Sequence, residues 1–146
     1  MSSAGYRIDA GRIPGELIGD VLTRTANVGT FTVETTLDTL VVPLVSGRRY
    51  WITWNGAAQS SVADGAVRFR IREDTSAGTQ IALRQAPMNA VVNQSFGVHM
   101  RALYTAVATA NKTFVITGVR QNGTGNITAV ASTDAPTFTW AEYVSG

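Results

Sequence analysis

The chain predicts an all-β fold: an antiparallel jelly-roll sandwich of about eight strands behind an irregular N-terminal arm. Three observations carry that expectation. Thr and Val make up about a quarter of the 146 residues, and β-branched side chains favour pleated strands over helices. Apolar and polar residues alternate in segment after segment, and no helical period is sustained. The 14 glycines, with many Asn, Ser and Asp neighbours, supply the turns. At this length one domain with a real core is expected. The runs divide it into a docking arm, residues 1–27, and a sandwich, residues 28–146. A two-sheet jelly roll is the simplest architecture for so many short strands, with a small up-and-down barrel as the alternative.

The arm comes first. Its breakers Gly5, Gly11, Pro14, Gly15 and Gly19 are interleaved with apolar Ile8, Ile13, Leu17, Ile18, Val21 and Leu22. Disordered tails lack such apolar content, so the segment needs a surface to lie against, its own domain's or a neighbour's.

Each strand then has its own signal. "TFTVET" puts Phe31 and Val33 on one face. "DTLVVPL" puts Leu40, Val42 and Leu44 on one face, and Pro43, which cannot donate to a ladder, assigns it to an edge or bulge. "RYWITWN" carries aromatics on both faces, Tyr50 and Trp54 on one and Trp51 on the other. The second face then needs cover from an arm or another subunit. "AVRFRIRED" alternates Val67, Phe69 and Ile71 with Arg68, Arg70 and Arg72, and "TSAG" turns it into the returning strand "TQIALRQ". "FGVHMRALY" gathers Phe96, Val98, Met100 and Tyr104. "NGTG" between "KTFVITGVRQ" and "NITAVAS" predicts a hairpin. The last run, "TFTWAEYV", is expected to turn Phe138 and Trp140 inward.

The inventory of chemistry is thin. There is no cysteine, so disulfide and thiolate chemistry are excluded. The net charge of +2 is too small to argue for nucleic acid or a membrane surface, and no apolar run approaches a membrane span. No basic-then-apolar leader is visible, so a soluble, cytoplasmically made protein is expected. The one histidine, His99, has no companion motif and reads as solvated or interfacial rather than as a catalytic base. "REDTSAG" lacks the alternating acids of a calcium loop, so no metal and no cofactor is expected. Paired carboxylates for hydrolysis remain a minor reading of the ten acids. The ladder of Arg68, Arg70 and Arg72 has three readings: a polyanion site, a solvated face paired with neighbouring acids, or a subunit interface, where Arg is favoured. The four Asn-x-Ser/Thr stretches beginning at Asn93, Asn111, Asn122 and Asn126 read as accidents of composition.

The stretch "GELIGDVLTRTANVGTFTVETTLDTLVVPLVSGRRYWITWNG", the hairpin "VRFRIREDTSAGTQI" and the final "TFTWAEYV" resemble small jelly-roll virion proteins of tailed bacteriophages, especially those of actinobacteria. The resemblance spans residues 15–146, and its shared elements are the strand at Gly47–Trp54, the hairpin around Arg70–Thr79 and the aromatic last strand. It implies a non-enzymatic structural protein on the virion surface, assembled in the host cytoplasm. It also implies a homotrimer packed around a threefold axis. The expected partners are the major capsid protein or tail proteins, with host surface glycans as a further candidate. In this reading Ile8, Ile13, Pro14, Leu17, Ile18, Val21 and Leu22 dock on the particle. Trp51, with Arg68, Arg70 and Arg72, lies at the subunit interface. A short arm behind a compact knob suits capsid decoration. A minor tail or fibre protein is the alternative, binding receptor or carbohydrate through loops such as 56–65 and 86–95.

Overall fold

The computed structural model describes residues 13–88 and 91–146. Ile8 lies outside them. Among the described residues there are ten strands and no helix: β1 (Leu22–Arg24), β2 (Val28–Phe31), β3 (Thr35–Leu44), β4 (Arg49–Ser60), β5 (Ala66–Glu73), β6 (Gln80–Pro87), β7 (Phe96–Thr105), β8 (Ala110–Asn122), β9 (Ile127–Val130) and β10 (Thr137–Ser145).

They form two antiparallel sheets. In the six-stranded sheet β4 is the spine. β7 runs along one side of it; β10 and then β9 run along the other, with β1 beyond β10 and β2 beyond β9. The second sheet has the order β3-β8-β5-β6. Successive strands thus change sheet repeatedly, the jelly-roll winding. Pro43 sits on an edge strand, where its missing N–H breaks no ladder.

The core lies between the sheets and follows the alternation. Tyr50, Ile52 and Trp54 of β4 meet Val67, Phe69 and Ile71 of β5, and Phe114 and Ile116 of β8. Trp54 and Phe69 stack with ring centroids 5.1 Å apart, and Tyr104 meets Phe114 edge-on. The chain bends at Thr32–Val33, so β2 ends at Phe31 and Val33 stands exposed instead of sharing its face.

Two expectations are corrected by long-range pairing. β8 and β9 do not form a hairpin: β8 is flanked by β3 and β5, leaving no free edge, and β9 pairs with β2 and β4 in the other sheet. In β10 the phase is reversed. Thr137, Thr139, Ala141 and Tyr143 point inward, while Phe138 and Trp140 are half-buried on the outside. Register explains this. Thr139 lies opposite Trp54 and Ala141 opposite Ile52, and bulky β4 side chains need small neighbours on the same face.

Candidate interaction surface

The reversed phase of β10 creates the main feature of the exterior. Register aligns Leu103, Trp51, Glu142 and Leu17 in one row across the outer face of the six-stranded sheet. The next row holds Arg101, Thr53 and Trp140, and the next His99, Asn55, Phe138 and Thr23. Three aromatics therefore share one outward face. Trp51, Phe138 and Trp140 are half-buried, and Leu103 and Leu17 are 46% and 48% exposed.

Local chemistry holds this face in place. The Arg101 guanidinium stacks on the Trp51 indole, 4.6 Å from the ring centroid, and donates to Glu142 at 2.6 Å. Thr53 is 1% exposed although it points outward, because its neighbours in the row cover it. Beside them a cleft of about 310 Å³ is lined by Pro14, Gly15, Trp51, Arg101, Glu142, Tyr143 and Val144.

The described part of the arm belongs to the same sheet. Gly15 N–H donates to the Tyr143 carbonyl at 2.8 Å, Tyr143 N–H to Glu16 at 2.9 Å, and Ile18 N–H to Ala141 at 2.9 Å. β1 then pairs with β10. A regular edge segment replaces the irregular one expected over Leu22–Arg24. Ile18 is 2% exposed in this domain's own core, and half-buried Leu22 packs against that core. Ile13, Pro14, Leu17 and Val21 are exposed.

The arginine ladder occupies the opposite side of the sandwich, on the outer face of β5. Glu34, carried over that face by the turn between β2 and β3, accepts from Arg70 and, at 3.0 Å, from Arg72. Thr117 donates to the same carboxylate at 2.6 Å. Burial pushes the Glu34 carboxyl up, but the Thr117 hydroxyl and the two guanidiniums outweigh it and hold the carboxyl below the ordinary glutamate value. Among the described residues Arg68 meets no such acid, and its Nε is buried without a hydrogen-bond partner there. Trp51 and the ladder thus lie on opposite faces and form two patches, not one. The acid that answers the ladder was missed because Glu34 is distant in sequence and sits in a bend.

Elsewhere the polar groups serve loops and strand ends. Lys112 bridges Asp74 at 2.9 Å and Glu73 at 3.1 Å. The Asp74 hydrogen bond, together with Glu73, raises the lysine well above its usual range despite partial burial. The backbone N–H of Thr124, then its hydroxyl, lowers Asp64. His99 is exposed. Among the described residues no group of three or more His, Cys, Asp or Glu side chains is placed to hold a metal ion.

No protein-family model matches the chain, and no curated protein matches its sequence. Likeness is found among solved structures. The VP2 protein of infectious bursal disease virus, in its subviral particle, superposes with a TM-score of 0.51 at 12% identity, over 87% of this chain and 33% of VP2. A β-1,3-glucan-binding CBM6 from Bacillus halodurans gives a TM-score of 0.44 at 14% identity, over 90% of each chain. A family 43 arabinoxylan arabinofuranohydrolase from Bacillus subtilis gives 0.43 at 11% identity, over 88% of this chain and 25% of the enzyme. At such identities the likeness establishes the β-sandwich fold alone.

Proposed function

We propose that this chain is a non-enzymatic structural subunit of a tailed-phage virion, a homotrimeric capsid decoration protein displayed on the particle surface. The observation that carries the reading is the outward aromatic face of Trp51, Phe138 and Trp140, rimmed by Leu103. Half-covered aromatics on a sheet face are what an interface core uses. A threefold ring is heterologous, so each subunit must offer two different patches. The indole face and the arginine ladder, on opposite sides of the sandwich, supply such a pair. Exposed Ile13, Pro14, Leu17 and Val21 at the β10 edge then remain for the particle lattice.

Immunogold labelling of purified phage particles tests the reading. Label spread over the head supports decoration. Label confined to the tail tip replaces it with a minor tail or fibre protein, and unlabelled intact particles overturn the virion role altogether. Light scattering of the purified chain supplies the mass: three subunits support the ring, and a monomer at working concentration rejects it.

A further inference from the structure

The flank of the sandwich carries a second feature, between the edges of the two sheets. β6 is the last strand of one sheet and β7 of the other, and each pairs on one side only. Between them lies a cleft of about 320 Å³ lined by Arg84, Gln85, Ala86, Pro87, Phe96, Gly97, Val98 and His99. That is the lower end of the size range of small-molecule sites.

Its lining is chemically one-sided. Arg84 lies opposite Phe69, which is buried in the core. Arg84 therefore sits on the inner side of β6, at the open mouth of the sandwich. Arg24, Arg70, Arg72 and Arg101 each meet a carboxylate; Arg84 has no ion pair or hydrogen bond among the described residues, and no carboxylate lines the cleft. A planar guanidinium fork with unused donors matches a carboxylate in bidentate geometry. Half-buried Phe96 and buried Val98 form an apolar floor. Gln85 and His99 stand at its two rims, on the outer sides of β6 and β7.

The geometry points to a binding site for a carboxylated saccharide, its carboxylate on Arg84 and its C–H face on Phe96, with its hydroxyls toward the open rims of the cleft. A simple acid would use the arginine and waste the floor. A neutral sugar would gain nothing from the charge of the guanidinium. The site does not rest on the trimer reading: its two main contacts, Arg84 and Phe96, are on the inner sides of their strands, and only the rims formed by Gln85 and His99 border the outer faces.

The test is an amide chemical-shift titration of the full chain with glucuronate, glucose and acetate. Saturating shifts confined to Ala82–Pro87 and Phe96–His99 are expected with glucuronate, with affinity at least about tenfold above glucose and acetate. Arg84→Gln is expected to weaken glucuronate by about tenfold or more, and Phe96→Ala, which removes the floor, to weaken it as well. Arg84 is exposed and Phe96 half-buried, and the amide spectrum itself reports whether each variant is folded. No saturable shifts, equal affinity for acetate, or undiminished binding by a folded Arg84→Gln variant would overturn the proposal.

Discussion

The Trp54 indole N–H donates to Oδ2 of Asp38 at 2.9 Å, and Arg24 Nε donates to Oδ1 of the same carboxylate at 2.8 Å. Asp38 is 6% exposed. One buried carboxylate on β3 therefore ties the spine of the opposite sheet to β1, and a buried charge is tolerated only when it is answered in this way. Replacing Asp38 with Ala strands both donors. The expected loss is about 3–5 kcal/mol, measured by urea unfolding.

Gly56 lies under the Trp54 ring, where an added Cβ would sit 2.4 Å from a ring carbon. Gly56→Ala is expected to cost about 1–3 kcal/mol through overpacking. Gly97→Ala, in open space, should shift stability by less than about 0.5 kcal/mol. Thermal melts of the two variants make the comparison, and equal melting temperatures would contradict the packing described.

Neighbouring arm residues are expected to behave oppositely. Ile18→Ala should cost about 2–4 kcal/mol because the side chain fills this domain's core. Leu17→Ala, at an exposed position, should be nearly silent in unfolding. If the docking reading is right, it should lower occupancy on particles instead. Removing residues 1–27 deletes Ile18, Leu22 and the β10 pairing together, so that truncation is expected to unfold the chain. Circular dichroism decides.

Glu34 links stability to pH. Its carboxyl is held below the ordinary value in the folded chain, so its contribution is complete above the unfolded glutamate value and disappears as pH falls through the folded one. Glu34→Gln should cost about 1 kcal/mol at neutral pH, a modest figure because the partly exposed pairs are screened. The difference between wild type and variant should shrink on acidification. Urea midpoints across the carboxylate range measure it, and a constant gap would refute the linkage.

Trp51→Ala should leave a folded chain, since the residue is half-buried outside the main core. It should also lower the association state, because truncating an interface aromatic typically costs about 2 kcal/mol or more of binding. Sedimentation velocity reads the change.

Much of this was written locally. Alternation has a period of two, so Val67, Phe69 and Ile71 could be assigned to the core and Arg68, Arg70 and Arg72 to the exterior without knowing any partner strand. The same logic identified the β5–β6 hairpin, the edge position of Pro43 and the all-β class, because each rests on a few adjacent residues. Where both phases of a strand carry large residues, alternation no longer decides. In β10, Phe138 and Trp140 compete with Thr139, Ala141 and Tyr143 for the interior, and the winner was set by what β4 already placed there. Whether "NGTG" closes a hairpin depended on whether β8 had a free edge, a property of the whole sheet. The placement of Glu34 over Arg70 and Arg72, the insertion of Ile18 into its own core, and the lining of one cleft by Arg84 and Phe96 likewise join residues far apart in the chain. Side-chain direction is a local consequence of the pleat, so the sequence by itself determined which residues can share a face. Which faces meet is settled by strand register and by competition for volume between the sheets, and only the tertiary structure decided that.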